Sequence, residues 1–381
     1  MGEEKTVVAL RRCMTYDEPT VQEAVDDLFA LCGGIENIVK LGQRVLVKLN
    51  LLMKRTPDRA TTTHPAVARA IVRAIQNAGA TAILADSPGG PFTRGMLAGV
   101  YEACGIRAVA EETGCVLNDN FSTTTRFFEE GYAARHLDLL GVLDHVDAVI
   151  TVGKLKTHGL TTMTGCVKNL YGCVPGTTKV EYHARYPQAE LFSRMLVDLC
   201  ACVKPCFALL DAVEGMEGEG PSGGRPRTIG ALVGGANPHQ VDAVGAALIG
   251  LAPDEVTTLR AAKRRGLLTP FDCVGDPMEP LVLRDFDIPM RTKRRGWVNM
   301  VNHLPQALRP RPVFTHRACD GCGTCMRACP AKAIAMDGQR RPQVDLRKCI
   351  RCYCCQELCP KTDVEVSRSP LLRWLHEKGR G

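Results

Sequence analysis

The run Cys319-x2-Cys322-x2-Cys325-x3-Cys329-Pro330 recurs as Cys349-x2-Cys352-x2-Cys355-x3-Cys359-Pro360. Three thiolates in so tight a loop can take three corners of one four-iron, four-sulfur cubane. The fourth, carried off by the following turn, caps the cluster of the other run. That rule assigns Cys319, Cys322, Cys325 and Cys359 to one [4Fe–4S] cluster, and Cys349, Cys352, Cys355 and Cys329 to a second. Glycines in CDGCGTC let backbone amides approach the sulfurs, where hydrogen bonds tune the potential. A zinc site would use paired Cys-x2-Cys arms across a long spacer, not two complete runs ending in Cys-Pro. Cys354, beside Cys355, is either a bystander or a substitute for a neighbouring ligand.

A second constellation lies upstream, in KLKTHGLTTMTGCVKNLYGCVPG from Lys154 to Gly176. Lys154, Lys156 and Lys168 supply cations, His158 titrates near neutral pH, and Thr157, Thr161, Thr162, Thr164 and Asn169 add neutral donors. Gly159, Gly165, Gly172 and Gly176 let backbone come close to a ligand. Lys48, Asn50, Asp86, Ser87 and Asp211 stand at the ends of other apolar runs. The set suits an anionic ligand bearing a carboxylate or phosphate. In that reading Lys156, His158 and Asp211 are catalytic, with His158 moving the proton. Lys48, Asn50, Asp86, Ser87, Lys154, Thr157, Lys168 and Asn169 bind the ligand or an organic cofactor. Against it stands a polar surface loop in which each residue is satisfied structurally. An enzyme calls for an enclosed pocket around Lys156, His158 and Asp211; a docking module calls for a shallow face.

Those side chains need a scaffold, and the apolar runs describe one. VVAL (Val7 to Leu10), VLVKL (Val45 to Leu49), TAILAD (Thr81 to Asp86), AVITVGK (Ala148 to Lys154), FALLDAV (Phe207 to Val213) and IGALVGG (Ile229 to Gly235) read as buried strands. Helical patterns separate them, such as the segment opened by His64-Pro65 and closed near Gly79. The expected fold is α/β, a mostly parallel sheet with helices on both faces, and ligands in such sheets bind beyond the carboxyl ends of the strands. Residues 1–287 form this domain, 288–313 a basic linker, 314–366 a small α+β two-cluster module and 367–381 a tail. The linker carries an amphipathic turn around Trp297 to Leu308, and reads as a spacer or a docking strip for an acidic partner or anionic membrane surface.

EGMEGEGPSGGRPR (Glu214 to Arg227) lacks the P-loop and G-x-G-x-x-G patterns, leaving a phosphate wrap, a lid or a turn cluster. No Ser, His and Asp pattern suggests acyl transfer. The formal net charge of +7 is modest and unstriped, which argues against nucleic acid. MGEEKTVVALRR lacks a secretory apolar run, and no stretch approaches a membrane span. The expected location is the cytoplasm, where thiols stay reduced, so the ten cysteines outside the tail are small core residues.

Residues 314–366 resemble bacterial-type two-cluster ferredoxins, which implies low-potential one-electron transfer. The larger domain is similar to a widespread prokaryotic family known only as a domain of unknown function, number 362, often fused to such modules. The likeness is carried by VLVKLNLL (Val45 to Leu52), THPAVARAIV (Thr63 to Val72), LADSPGG (Leu84 to Gly90), Asp147 to Gly176, LLDAVEGMEGEGPSGG (Leu209 to Gly224) and NPHQVDAVGAALIGL (Asn237 to Leu251). Leu49 departs from it, standing where similar sequences read Lys-Pro-Asn. The resemblance implies iron–sulfur binding and an α/β fold, and no agreed substrate. Two functions follow. One is a ferredoxin-coupled oxidoreductase that reduces an anionic small molecule or organic cofactor, with a flavin or similar carrier as a candidate. The other is an electron carrier whose large domain docks acidic redox partners. Either requires an external electron donor or acceptor protein. A redox-sensing regulator is a third reading.

Overall fold

The computed structural model describes residues 6–289 and 309–367; the turn expected around Trp297 to Leu308 and the tail lie outside the described residues. The strands of the large domain are β1 (Thr6–Arg12), β2 (Arg44–Lys48), β3 (Thr81–Ala85), β4 (Val116–Leu117), β5 (Thr123–Phe127), β6 (His136–Leu140), β7 (Ala148–His158), β8 (Thr162–Thr164), β9 (Phe207–Glu217), β10 (Arg225–Gly235) and β11 (Phe271–Gly275). One nine-stranded sheet runs β11-β1-β10-β9-β7-β2-β3-β4, with β8 added to β7, while β5 and β6 pair separately. All pairings along the sheet are parallel except those of β10, which runs against both β1 and β9, and that of β8 against β7. The reason for β10 is the short turn at 218–224: a connection of that length can join only antiparallel neighbours.

Alternate side chains explain why the strands read as unbroken apolar runs. Val45 and Val47 of β2 enter the core on one face, and Leu46 enters the core on the other. The first face is covered by α1 (Glu18–Leu31), α3 (Pro65–Asn77), α4 (Arg94–Ala103) and α5 (Ile106–Thr113), through Leu28, Ile71, Val100 and Val109. On the second, α8 (Ala189–Val203), α9 (Pro238–Leu248) and α10 (Thr257–Arg264) contribute Leu196, Leu248 and Leu259. Each such side chain contributes about 1.5–3 kcal/mol on burial. Helix α3 begins as the sequence suggests: Pro65 fills the first turn and His64 Nδ1 accepts from the Ala66 amide at 3.2 Å.

In the C-terminal module, strand Arg311–Phe314 pairs antiparallel with Val364–Ser367, and Ile334–Met336 with Pro342–Val344. Two short helices, Thr324–Arg327 and Cys354–Glu357, follow the cysteine loops. The module docks on the sheet edge where β7 and β9 overrun β2. Ser222 Oγ, in the turn between β9 and β10, donates to the Glu357 carbonyl at 2.9 Å, and Gln356 Nε2 donates to the Glu219 carbonyl at 3.1 Å. Arg55 Nη2 donates to the Pro360 carbonyl at 2.9 Å.

Candidate functional site

Cys319, Cys322, Cys325 and Cys359 line one cavity of about 350 Å³, and Cys329, Cys349, Cys352 and Cys355 line another of about 320 Å³. The crossed grouping read from the spacing is therefore the grouping in space, and a four-thiol lining fits a cubane cluster. Backbone amides already point at two of the sulfurs: Ala333 N donates to Cys329 Sγ at 3.2 Å and Asp363 N to Cys359 Sγ at 3.4 Å. Cys354 is buried and lines neither cavity.

At the sheet edge the expected residues do converge, into a dense hydrogen-bonded floor. Lys48 Nζ lies 2.8 Å from Asp86 Oδ1 and donates to Asn169 Oδ1 at 3.2 Å. Asn169 Nδ2 donates to the Lys48 and Val152 carbonyls and to Thr151 Oγ1. Asp86 Oδ2 accepts from the Leu51 amide at 2.5 Å, which fixes the chain after β2. Gly172 is required here, since a methyl at that position would fall on Asp86 Oδ1 and Lys48 Nζ. Leu49 donates its amide to Ala85 O at 3.1 Å, a bond that proline could not make.

Lys156 Nζ donates to Asn50 Oδ1 at 2.8 Å and to the Thr61 carbonyl at 2.7 Å. Burial, reinforced by Lys168, lowers its pKa to about 7. Lys154 Nζ reaches Asp211 Oδ2 at 2.9 Å and Tyr16 OH at 2.5 Å, and the Tyr16 hydroxyl donates to Asp211 Oδ1 at 2.9 Å. Thr157 Oγ1 donates to the Gly218 carbonyl at 2.7 Å and pins the docking turn.

Above this floor lies a cleft of about 630 Å³. One wall is the sheet edge and α6 (Cys166–Asn169), with Asn50, Ser87, Lys168 and Asn169; the other is the module, with Cys354, Glu357 and Leu358. Helix α6 is held from outside: Asp242 Oδ1 accepts from the Cys166 amide at 2.5 Å and Oδ2 from Val167 at 3.1 Å. Gly165 leaves room for that carboxylate. Lys168 is 8% exposed, and its side chain makes no hydrogen bond or ion pair among the described residues. Thr164 Oγ1 and His183 Nδ1, also on the cleft, are buried without partners. Burial alone would raise the pKa of Glu357, but Lys168 and His158 hold the carboxyl well below the usual range. Lys179, on α7 (Thr178–Arg185), donates to Ser87 Oγ at 2.8 Å; part of its surface stays open, yet desolvation brings its pKa down to about 7.

Three expectations need correction. The pocket does not form around Lys156, His158 and Asp211 but beside them, because the module covers the overhang of β7 and β9. Asp211 and Lys154 neutralise each other in the interior, fully buried, and do not line this cleft. His158 does not titrate near neutrality: burial and then Lys168 lower its pKa to about 4. Its Nδ1 accepts from the Leu160 amide at 3.0 Å, so the proton sits on Nε2, 3.6 Å from Glu357 Oε2. Thr164, one of the neutral donors read from the segment, does line the cleft, and the residues not foreseen are Glu357, Lys179 and His183. Glu357 follows the cysteine loop and gave no signal separate from it, whereas Lys179, three residues beyond Gly176, marked itself only as another lysine in a polar segment.

An α/β domain carrying a four-thiol pair at its sheet edge defines an iron–sulfur protein of the electron-transfer class. Comparison with protein families matches a 4Fe-4S dicluster domain over residues 311–360 and a domain of unknown function, DUF362, over residues 45–247. The chain belongs to the DUF362 family. It is 33% identical over 266 residues to the "Thylakoid-associated protein sll1697" of Synechocystis sp., covering 68% of this chain and 79% of that protein. Among solved structures it is similar to the lactate racemase apoprotein from Thermoanaerobacterium thermosaccharolyticum, at 14% identity and a TM-score of 0.40 over 60% of this chain. It is also similar to a protein from Thermotoga maritima, at 12% identity and a TM-score of 0.37 over 60% of this chain. The chain spans little more than half of either structure, 54% and 57%. Likeness of that degree says nothing of chemistry. No helix among the described residues is long and apolar enough to cross a membrane.

Proposed function

We propose that this protein is a ferredoxin-coupled oxidoreductase that reduces an anionic small molecule or organic cofactor held between the sheet edge and the cluster module. The observation that carries this reading is Lys168, an ammonium with no hydrogen bond or ion pair among the described residues, in a cleft walled on its far side by the helix Cys354–Glu357. A desolvated cation without a partner is costly unless an anion joins it. Cys319, Cys322, Cys325 and Cys359 hold one [4Fe–4S] cluster, and Cys329, Cys349, Cys352 and Cys355 the other. Such clusters exchange one electron at a time with an external donor protein. A closed-shell product then needs two electrons and two protons. Lys168 binds the anion, and Asn50 and Asn169 hold the floor that orients it. Lys179 lines the cleft with a pKa of about 7, which suits a proton donor at neutral pH. Lys156 keeps Asn50 in place and does not reach the ligand.

The test uses anaerobic holoprotein reduced with dithionite and mixed with a panel of anionic small-molecule oxidants. Wild-type protein is expected to be reoxidised by at least one, and Lys168→Met at least 100-fold more slowly with cluster absorbance unchanged. Equal behaviour of the two proteins toward every small oxidant, with reoxidation only by an acidic protein, would make the chain a carrier instead. Chromophore released on denaturation would identify an organic cofactor such as a flavin in the cleft.

A further inference from the structure

The cleft has a second unsatisfied wall, and it has the opposite charge. Among the described residues the Glu357 carboxylate meets His158 Nε2 at 3.6 Å, longer than a normal hydrogen bond. That nitrogen is itself buried without a partner. Lys168 and Glu357 line the same cleft without forming an ion pair with each other among the described residues. The Lys48–Asp86 pair beside them is closed on itself. A ligand that only accepts hydrogen bonds would satisfy Lys168 and leave a partly buried carboxylate without a short hydrogen bond, which costs about 1 kcal/mol or more. A ligand that only donates would leave the ammonium unpaired.

Charge narrows the class further. Lys168 brings an ammonium to the cleft and Glu357 a carboxylate, while Lys179, with a pKa of about 7, carries its proton only part of the time at neutral pH. A monoanion that also carries a neutral donor meets both the ammonium and the carboxylate without adding a second cation beside Lys168 and Lys179. Leu52, Leu358 and Val180 add apolar wall for a hydrocarbon body.

Resting on the anionic-cleft reading above, we infer that the ligand is a hydroxy acid: its carboxylate lies against Lys168, and a hydroxyl on the neighbouring carbon donates to Glu357. His183 and Thr164, buried on the same cleft with unpaired polar atoms, complete its polar surround. The module thus supplies half of the recognition, and the sheet edge alone is an incomplete site.

Calorimetric titration of anaerobic holoprotein with mandelate and with phenylacetate, which differ only in that hydroxyl, tests the inference. Wild-type protein is expected to bind mandelate at least tenfold more tightly. Glu357→Gln should reduce that preference to less than threefold, and Lys168→Met should weaken both acids at least tenfold. Equal affinities in wild-type protein would overturn the hydroxyl contact, and that measurement needs no variant. If both acids then still depended on Lys168, the anionic cleft itself would survive. Binding indifferent to Lys168→Met would sink both readings, and a preference that survives Glu357→Gln would move the donor contact off Glu357 and refute this one. Failure of both acids to bind at millimolar concentration would count against the hydroxy acid class.

Discussion

At Lys156 a buried ammonium is held by two oxygens and penalised by burial. With a folded pKa of about 7 against 10.5 unfolded, the unfolded chain binds more protons between those values. Stability therefore rises with pH across that window, and the penalty is complete below pH 7. Wild-type protein should gain on Lys156→Met with increasing pH, by up to about 1.4 kcal/mol per pH unit, in denaturant titrations run from pH 7 to 10. A difference that stays flat would mean that Lys156 is not desolvated as its surroundings suggest. Gly172→Ala is expected to cost about 3–5 kcal/mol, because its methyl must separate Lys48 from Asp86. Residue types at strand ends pointed to Lys48, Asn50 and Asp86, and the polar segment after β7 to Asn169; hydrogen bonds and an ion pair join the four. Residue types did not reveal that Lys154 and Asp211 consume each other, since pairing across strands β7 and β9 depends on register, which composition does not encode.

Helix α6 is four residues long and cannot sustain itself, yet it carries Lys168. Its first amides are satisfied by Asp242 from α9, whose carboxyl burial raises to about 7, against the pull of the Cys166 and Val167 amides. Asp242→Ala should destabilise the fold by about 2–4 kcal/mol by chemical denaturation and should also weaken anion binding. Loss of stability with unchanged affinity would show that α6 keeps its place without the cap. Six strands were legible as apolar runs because each is buried on both faces. Strands β5 and β11 were not: TTTRF is polar, and FDCVG is a short, largely exposed run broken by Asp272. The turn Gly218 to Gly224 read as glycine-rich and unassignable, since its purpose is to meet a module more than a hundred residues away.

Over the whole molecule, the cleft exists only where the module sits on the sheet edge. Cluster loading and module folding are coupled in so small a unit. Chelating the iron should therefore leave the far-ultraviolet circular dichroism of the large domain nearly intact, open residues 311–367 to trypsin and abolish ligand binding. Ligand binding that persisted in the chelated protein would mean that the sheet edge is a complete site after all. Glu357 has a further consequence, because it sits two residues from Cys355 and Cys359 alike, facing the cleft. A negative ligand there and an electron added to the iron–sulfur module share one poorly screened neighbourhood, so each raises the cost of the other. By thermodynamic reciprocity, whatever factor reduction takes from the affinity, the ligand must take from the reduction potential, about 59 mV downward for each tenfold. Such a protein would hold its substrate most firmly before the electron arrives and let go once it has been spent.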